Sequence, residues 1–429
     1  MEIKVPYGNG YMQGIIPDDI PVQVIEPKYK KVTKTTDILI REAMDHPIGT
    51  MRLERMAKPD DEILIVINDH TRPGPTKEMV EAIIDRLHQA CVPDNNIELI
   101  VATGSHRGST KEELQHMVGL DIMEKYKIHM HDCHKGNVYA GTCKDGLKIY
   151  LDQVVMQSKF VILTGLISPH KTAGFSGGRK SIVPGVTALE TLHFHHALPI
   201  RPMEPAVGWM EQNQFHIDAL EGAKMANVKF ILNAVQDTYK QNISFVAGDL
   251  EKAHLKGVHI CRVHNTMECD KRGDLIIVSP GGAPRDQNLY QTQKGLACGE
   301  EFAKKGEKVT FILLCRGELG FGPELFKKWL EEAQKPEDVI ERFKKERFDV
   351  GTNKAFEYAR AESKGRIIVV SENLDPKELK RMMMDWAPNL QAAIDMVLSE
   401  KIPEQVIVLP KAVSIIPHFN DGIEQRYIE

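Results

Sequence analysis

A short apolar segment, a polar loop and an amphipathic helix recur along this chain, and this repetition is the feature that most constrains its fold. Residues 63–67 (ILIVI) have the length and β-branched composition of a buried strand. The loop NDHTRPGPT follows, and apolar residues from Met79 to Leu87 then recur on one face of a 3.6-residue period. Strands that alternate with helices in this way predict parallel sheets joined by right-handed crossovers.

The same unit is predicted at several later positions. Further strands are predicted at 97–102, 160–164, 275–279, 309–314, 367–370 and 406–409. Helices are predicted at about 187–196, from near Asn288, and over PELFKKWLEEAQ and NLQAAIDMVLSE. Ser109 and Glu112 predict a capping box at the start of the helix after 97–102.

The length of 429 residues exceeds one ordinary domain. We predict an α/β fold with two domains, each a mainly parallel sheet flanked by helices. The polar stretch NTMECDKRGD marks the boundary, which gives an N-terminal domain over 1–270 and a C-terminal domain over 271–410. The last segment, 411–429, is expected to pack back on the first domain.

Composition and charge narrow the class of protein and its partners. The hydrophobic fraction of 42% and the charged fraction of 27% are typical of a soluble globular protein, and a net charge of -5 argues against a nucleic-acid partner. No apolar run approaches the roughly 20 residues that cross a bilayer, and the start MEIKVPYGNG lacks a secretory pattern. The seven scattered cysteines include no CxxC pair, which disfavours a disulfide framework or a zinc ribbon. We therefore expect a cytoplasmic protein with no membrane partner.

The most unusual segment is HKTAGFSGGRKS, residues 170–181. Gly174, Gly177 and Gly178 are predicted to let the backbone approach a ligand, and amides near a helix start favour an anion. The segment resembles a phosphate-binding P-loop, but Arg179 stands where the glycine before the lysine is needed. An ordinary P-loop NTPase is therefore not expected.

Histidines are plentiful, and their positions separate candidate ligands from structural residues. His196 lies sixteen residues after Lys180 in the run TLHFHHAL, and neutral imidazole is a common metal ligand. His193 and His195, from spacing alone, are interpreted as partly exposed helix residues. The cluster HMHDCH at 129–134 lacks a regular ligand spacing and is interpreted as structural.

Two further loops carry chemistry at the carboxyl ends of predicted strands, where parallel sheets bind ligands. Asp69 and Arg72 follow one strand, and His106 follows the next. An arginine can hold a carboxylate through a bidentate fork, and a histidine can serve as a general base. His106 and His170, on loops from different strands, could face one substrate from opposite sides, as racemisation requires.

Less specific roles remain open for several of these side chains. Asp69 could cap its own loop through an Asx turn, and Arg107 and Arg179 could pair with surface carboxylates. His70 is interpreted as structural. Lys171 is either a substrate contact or a solvated loop lysine.

Four motifs in order resemble the lactate racemase family, whose members are nickel-pincer-nucleotide-dependent 2-hydroxyacid racemases and epimerases. They are NDHTRP, ATGSHRG, ISPHKTAGFSGGRKSIVPG followed by His196, and LYQTQK. The match runs from about Ile63 to beyond Lys294. GFSGGRK with its downstream histidine is the most specific part.

The resemblance implies a cofactor and a set of site residues. Lys180 would be linked to a pyridinium-3-thioamide-5-thiocarboxylate mononucleotide that holds nickel through two sulfurs and a ring carbon, with His196 as the fourth nickel ligand. His106 and His170 would be the acid/base pair, and the cofactor would lie in a cleft between the domains. Further cofactor contacts would be Asp69, Gly174, Phe175, Ser176, Gly177 and Gly178. Substrate contacts would be Arg72, Tyr290, Gln291 and Lys294.

The implied activity is inversion of the C2 carbon of a small 2-hydroxyacid. One histidine removes the hydroxyl proton while hydride leaves to the cofactor, and hydride returns to either face of the bound 2-keto acid. Lactate-specific members have a tryptophan in the stretch similar to GTNKAFEYARA, where this chain has Lys354 and Phe356. Lactate, malate and a sugar acid are therefore all candidate substrates. Cofactor-assembly enzymes are expected partners.

Two other functions are compared with this one. A nicotinamide-dependent dehydrogenase would need a GxGxxG turn that opens a helix after a strand, and GFSGGRK does not have that pattern. A non-catalytic nucleotide- or metal-binding homologue would be expected to have lost some of the implied positions. All of them are present.

Overall fold

The computed structural model describes residues 1–27, 29, 31–346 and 348–419. The strands are β1 Glu2–Tyr7, β2 Gly10–Ile15, β3 Val22–Val24, β4 Ile63–Asn68, β5 Ile97–Ala102, β6 Lys127–Met130, β7 Asn137–Thr142, β8 Lys148–Asp152, β9 Phe160–Ile167, β10 Pro169–His170, β11 Gly174–Phe175, β12 Val228–Gln236, β13 Asn242–Gly248, β14 Thr266–Cys269, β15 Leu275–Val278, β16 Val309–Leu314, β17 Gly365–Val370, β18 Asp385–Ala387, β19 Val406–Leu409 and β20 Ile416–Phe419. The α-helices are α1 Thr36–Asp45, α2 Leu53–Met56, α3 Thr76–Gln89, α4 Lys111–Val118, α5 Leu120–Lys125, α6 Gln153–Gln157, α7 Leu189–His195, α8 Gln214–Lys224, α9 Lys252–Asn265, α10 Leu289–Gly299, α11 Glu324–Glu331, α12 Pro336–Lys345, α13 Thr352–Lys364, α14 Pro376–Arg381 and α15 Leu390–Glu400.

The chain divides into two compact units. The N-unit comprises Tyr29–His195 and Gly208–His264, and the C-unit comprises Met1–Lys28, His196–Val207 and Asn265–Glu429. Each unit is built on its own six-stranded sheet. The predicted α/β class, with parallel sheets flanked by helices, is confirmed.

The sheet of the N-unit has the strand order β13-β12-β9-β4-β5-β6. All neighbours are parallel except the β12–β13 pair, which is antiparallel. Residues 63–67 of β4 are all buried, as expected of a central strand covered on both faces. The apolar face of α3, with Met79, Val80 and Ile83, packs into this core.

The order of these strands reverses at β4. The chain adds β5 and β6 on one side of β4 and then returns to add β9 and β12 on the other side. In open parallel sheets, the crevice beyond the carboxyl ends at such a reversal is the usual ligand site. The loops after β4 and β9 therefore border the expected site of the N-unit.

The sheet of the C-unit has the order β18-β17-β16-β15-β19-β3, with all neighbours parallel. Its edge strand β3 comes from the start of the chain, where Val22 pairs with Val406 of β19. The β1–β2 hairpin also belongs here, and its buried Ile3 and Val5 join the core of this unit. The unit is thus assembled from both ends of the chain.

This division differs from the predicted boundaries. Residues 1–28 and 196–207 belong to the C-unit rather than to a continuous first domain. The described part of the predicted C-terminal return, up to Phe419, also lies in the C-unit, because β20 pairs with β14. Residues 420–429 lie outside the described residues. A local hydrophobic pattern predicts a strand but not its partner. Pairing between distant segments could therefore not be predicted from the sequence.

The predicted strands agree with the structure to within a few residues, but one capping box was wrong by one position. Thr110, not Ser109, caps α4: its hydroxyl accepts from the Glu113 amide at 3.2 Å, and the Glu113 carboxylate accepts from the Thr110 amide at 2.8 Å. Ser109 instead contacts His70, with Oγ 3.2 Å from Nδ1.

The structure also bears on the predicted membrane and disulfide properties. Within the described residues, no helix combines the length and the apolar character needed to cross a bilayer. The seven cysteines are free thiols.

Candidate active site

Asp69 and His106 form a hydrogen-bonded pair at the carboxyl ends of neighbouring strands. Asp69 follows β4 and is 2% exposed, and its Oδ2 lies 2.7 Å from Nδ1 of His106, in the loop after β5. Thr71 donates to the other carboxylate oxygen at 2.8 Å. Because a carboxylate only accepts, the ring proton of His106 lies on Nδ1 and leaves Nε2 as an acceptor.

The charge of Asp69 is stabilised by this contact. Burial raises the pKa of Asp69, but the hydrogen bond and charge of His106, with smaller contributions from Thr71 and Arg72, bring the net pKa below its ordinary value. Asp69 therefore orients the ring of His106. An Asx turn in its own loop would not account for the contact of Asp69 with His106. The role of Asp69 in cofactor binding stays a prediction.

His170 is held in a different way from His106. It ends β10, and its Nδ1 accepts the backbone N–H groups of Thr172 at 3.2 Å and Ala173 at 3.1 Å. A ring that accepts at Nδ1 has its proton on Nε2. Burial, together with the positive charges of Lys180 and Arg72, lowers the pKa of His170 well below its ordinary value. His170 is thus a neutral ring that can donate from Nε2.

Lys180 lies in a short 3₁₀ helix, Gly178–Ser181, after the glycine-rich loop. The side chain is 9% exposed. Burial lowers the pKa of Lys180 well below its ordinary value, and the charges that add to this effect, on Arg72, Arg179 and Lys171, are all positive. A neutral amine is nucleophilic, and positive charges gathered near one another favour an anionic ligand.

Arg179 is buried and links backbone segments of the loop, so the alternative that it pairs with a surface carboxylate is wrong. The side chain is 1% exposed, and its guanidinium donates to the carbonyl oxygen of Ala173 at 2.8 Å and lies 3.0 Å from Nε2 of His254. Burial lowers the pKa of Arg179 to about 9. The clamp holds the two ends of the loop together. Arg107, by contrast, pairs with Glu113 at 2.6 Å on the surface, as predicted.

The backbone angles and close packing of the loop glycines give a structural reason for glycine at these positions. Gly177 and Gly178 have φ of +79° and +52°, in the left-handed region that favours glycine. A Cβ on Gly177 would lie 2.7 Å from Ile167 Cγ1, and one on Gly178 would lie 2.7 Å from His254 Cδ2. Protein atoms therefore occupy the space beside these glycines. A role in cofactor binding for Gly174, Phe175, Ser176, Gly177 and Gly178 stays a prediction.

Asn233 is a supporting residue that sequence reasoning missed. It is fully buried on β12, and its Oδ1 accepts the Gly178 amide at 2.7 Å. The asparagine within the apolar run FILNAV could have indicated this role, because a buried side-chain amide needs a hydrogen-bond partner.

The predicted substrate contacts of the C-unit lie on one helix. Asn288 caps α10 by accepting from the Gln291 amide at 2.8 Å. Lys294 lies three residues after Gln291 and four after Tyr290, so these side chains share a helix face. Gln291 and Tyr290 are half-buried, and Lys294 is exposed.

Two other residues of the C-unit bear on the substrate. Lys354 is buried on α13, donates to Gln293 Oε1 at 2.9 Å and lies 5.2 Å from the ring centroid of Tyr290. Phe356 is fully buried and stacks on Phe343 at 4.6 Å. Phe356 is therefore a core residue, whereas Lys354 contacts the α10 region.

The histidines of the run TLHFHHAL have different environments. His193 is half-buried, as predicted, but His195 is fully buried, with Nε2 2.9 Å from the Phe215 carbonyl oxygen, so its predicted exposure was wrong. The apolar contact with the Phe215 ring, at 3.9 Å, explains the burial. His196 belongs to the C-unit, where its ring lies 5.2 Å from that of Phe348. Its role as a metal ligand stays a prediction.

The HMHDCH cluster matches its structural interpretation. His131 is buried, and its two ring nitrogens lie 2.8 Å from Asp152 and 3.0 Å from the carbonyl oxygen of Thr187. His129 contacts Glu98 at 2.6 Å. The ring nitrogens of His131 are therefore occupied by protein partners.

Family models describe both halves of this chain. The model for the lactate racemase N-terminal domain matches residues 7–207, and that for the lactate racemase C-terminal domain matches residues 269–417. The chain belongs to the lactate racemase family. Its C-terminal match begins within a few residues of the predicted boundary at 271.

Individual relatives agree with the family assignment. The lactate racemase of Thermoanaerobacterium thermosaccharolyticum is 31% identical over 98% of both chains. That of Lactiplantibacillus plantarum is 32% identical over 88% of this chain and 90% of the relative.

Solved structures show the same fold. The lactate racemase apoprotein from T. thermosaccharolyticum superposes with a TM-score of 0.89 at 30% identity, covering 97% of this chain and 100% of that one. A protein from Thermotoga maritima, 15% identical with a TM-score of 0.63 over 91% of this chain and 100% of its own, shares the fold. The family assignment places this chain among racemases.

Residues of the N-unit fit the cofactor that the family resemblance implies. Lys180 provides a buried amine with a lowered pKa, which suits a covalent acyl-type link. Arg72, Arg179 and Lys171 surround it with positive charge, which suits a phosphate-bearing nucleotide. The loop leads into a 3₁₀ helix rather than the α-helix of a dinucleotide fingerprint, which disfavours the dehydrogenase alternative.

Proposed function

We propose that this chain inverts the C2 carbon of a small 2-hydroxyacid, with Lys180 linked to a nickel pincer nucleotide and His196 as a nickel ligand. When bound, this group supplies a reversible hydride acceptor. The proposal rests on the family assignment and on one observation: His106 and His170 are held at Nδ1 by partners of opposite kind, which leaves one Nε2 as an acceptor and the other as a donor.

The sheet sets the spacing of the two histidines. His106 follows β5 and His170 follows β9, and these strands flank β4 on opposite sides. Neighbouring strands lie about 4.8 Å apart, so the two strand ends are separated by roughly 10 Å, enough for a small substrate. Arg72 follows the central strand β4, where its guanidinium can hold the substrate carboxylate.

The histidines would act in sequence on the substrate hydroxyl. His106 accepts the proton at Nε2, and the carboxylate of Asp69 stabilises the resulting imidazolium, while the hydrogen on C2 leaves as hydride. The product is a 2-keto acid held at its carboxylate by Arg72. His170 donates its Nε2 proton to the carbonyl oxygen when hydride returns to the other face. A proton from solvent then restores the neutral ring of His170, and the imidazolium of His106 releases a proton to solvent. The opposite enantiomer follows the same steps in reverse, beginning with this proton exchange.

The substrate is proposed as lactate first, because the curated relatives are named lactate racemase. Lys354, beside Tyr290, favours a doubly acidic 2-hydroxyacid such as malate as the second candidate. Racemisation of a panel of lactate, malate and sugar acids distinguishes them. If only lactate turns over, the second candidate is wrong, and loss of malate turnover alone in Lys354→Met would support it.

The test that decides the cofactor is the intact mass and nickel content of protein co-expressed with cofactor-assembly enzymes. We expect a mass increase of one pyridinium nucleotide on the peptide that contains Lys180, with one nickel per chain and no bound NAD. Lys180→Ala should lack the added mass and the activity, while Lys159→Ala, at an exposed position, should retain both. An unmodified wild-type chain under these conditions would contradict the proposal.

The two histidines are tested separately from attachment. His106→Ala and His170→Ala should each keep the added mass but lose racemisation by about 10²-fold or more, the usual range for a general acid or base. Wild-type activity in either variant would contradict the two-histidine assignment. Since the equilibrium constant of racemisation is one, kcat/KM measured from the two enantiomers must agree in every variant, so each substitution should lower both directions equally.

A further inference from the structure

A second cluster of metal-binding side chains lies in the N-unit away from the catalytic loops. Cys143 and Asp145 are in the turn between β7 and β8, and Asp218 is on α8. One ligand atom from each residue lies within 4.8 Å of the other two. Donors around a tetrahedral zinc ion lie roughly 3.5 Å apart, so small side-chain movements would bring these atoms around one ion.

The carboxylate of Asp218 supplies an independent reason to expect a cation. Asp218 is 0% exposed. Its Oδ1 accepts from Gln214 Nε2 at 2.7 Å, whereas its buried Oδ2 accepts from no N–H or hydroxyl group that the structure describes and lies near the Asp145 carboxyl. A buried carboxylate oxygen without a donor is strongly destabilising, so the native protein must satisfy it with a proton or an ion.

The charges nearby do not neutralise the cluster. Glu221, one helical turn after Asp218, accepts the Lys144 amide at 2.9 Å, and its carboxylate lies 3.6 Å from the Lys144 ammonium. That ammonium is 93% exposed. Among the ion pairs of the described residues, Asp145 and Asp218 have no cationic partner.

We propose that Cys143, Asp145 and Asp218 bind one divalent cation of the zinc class. A thiolate with two carboxylates suits Zn²⁺, whereas Mg²⁺ and Ca²⁺ prefer oxygen ligands alone. Three protein ligands leave one tetrahedral position for water. Binding forms one metal–sulfur and two metal–oxygen bonds and transfers the thiol proton of Cys143 to solvent.

The cation would link the β7–β8 turn to α8, the helix that packs against Val183 after the Lys180 loop. Gly222 of α8 packs so closely that an added Cβ would lie 2.7 Å from Val183 Cγ2, just after the 3₁₀ helix, and 3.2 Å from Ile149 Cδ1 of β8. A metal bridge would therefore hold α8 in place against Val183 and against Ile149 of β8. We expect bound metal to stabilise the N-unit without altering attachment at Lys180.

Cobalt titration of the full chain without attached cofactor tests this site. Co²⁺ should bind with one equivalent that shows thiolate-to-cobalt charge transfer, release a proton, and be displaced by Zn²⁺. Zn²⁺ should also raise the temperature of thermal unfolding. Histidine sites elsewhere can bind Co²⁺ but give no thiolate band, so the readout is specific for a cysteine ligand.

Matched variants decide between this site and other thiols. Cys143→Ser and Asp218→Asn should lose the band and the Zn²⁺-dependent stabilisation, while Cys133→Ser, at another buried thiol of the same unit, should keep both. If a buried variant fails to fold, Asp145→Asn, at an exposed turn position, replaces it and should weaken the Zn²⁺-dependent stabilisation. The absence of a thiolate band in wild-type protein, or its survival in Cys143→Ser, would overturn the proposal. The Asp218 carboxyl would then be satisfied by a proton that it shares with Asp145.

Discussion

His106 and His170 differ in the chemical character of the group that holds Nδ1. A carboxylate accepts from His106, and two backbone amides donate to His170. Neutral imidazole has one proton for two nitrogens, so these contacts set the two Nε2 atoms in complementary states. The free protein is therefore poised for proton removal at His106 and proton donation at His170.

Asp69→Asn tests the first of these contacts. An amide that donates to Nδ1 would move the ring proton of His106 to Nε2 and remove the acceptor, so we expect kcat per attached cofactor to fall by about 10²- to 10⁴-fold. Thr71→Val, which removes only the hydroxyl contact to Asp69, is the matched control and should have a much smaller effect. Equal losses in both variants would mean that Asp69 acts only by supporting the loop.

Lys180 makes the stability of the cofactor-free protein depend on pH. Its folded pKa lies below the ordinary value of 10.5, so between the two values the unfolded chain holds the extra proton and stability rises with pH. Lys180→Met should therefore unfold at a higher temperature than wild type at pH about 7, and the difference should shrink towards pH about 10. Thermal unfolding across this range measures the effect. Lys159→Met is the control, and a parallel shift in both variants would contradict the burial argument.

Among the elements of the N-unit, the hairpin and 3₁₀ helix that follow β9 depend on contacts from distant parts of the chain. Arg179 approaches His254 of α9, and Gly178 donates to Asn233 of β12. Contacts within the protein thus hold the shape of the loop, which favours a preorganised site.

Gly177→Ala should disrupt this loop. Its Cβ would meet Ile167 Cγ1 at 2.7 Å, in addition to the left-handed backbone penalty of about 1–2 kcal/mol. Gly136→Ala separates the two effects, because Gly136 has φ of +70° but an added Cβ would meet nothing within 4 Å. We expect a lower unfolding temperature in both variants, and a further loss of cofactor attachment only in Gly177→Ala. Similar attachment in both would show that the close packing is not needed.

Elements were predictable from the sequence where the signal was local. Buried parallel strands are continuous apolar runs, so 97–102, 309–314 and 406–409 were predicted with their observed bounds. The motif loops were predicted at strand ends for the same reason. The clamp by Arg179 and the burial of His195 against Phe215 depend on tertiary packing, which no local period encodes.

At the scale of the whole molecule, the C-unit combines three separate segments of chain. Its sheet needs β3 from the first segment to cover β19, and its core needs Ile3 and Val5 of β1. Sequence reasoning placed residues 1–28 in the first domain because it followed chain order. Strand pairing, which decides the true grouping, depends on geometry across the whole fold.

Deletion of residues 1–25 tests this grouping. Each buried apolar side chain contributes about 1.5–3 kcal/mol, and the segment buries Ile3, Val5, Ile16 and Ile20, so the loss is comparable with the entire stability of a domain. Hydrogen exchange should show lost protection in β19 and α15, with β4 and β5 as the internal control. Unchanged protection in β19 and α15 would contradict the assignment.

The pairing of β3 with β19 also sets an order for biosynthesis. Val22 is translated well before its partner Val406. At about 5–20 residues per second, the first segment waits on the order of 20 to 80 s for its place in the sheet. During that interval the apolar residues of this segment are exposed, so nascent chains are expected to need chaperone protection there.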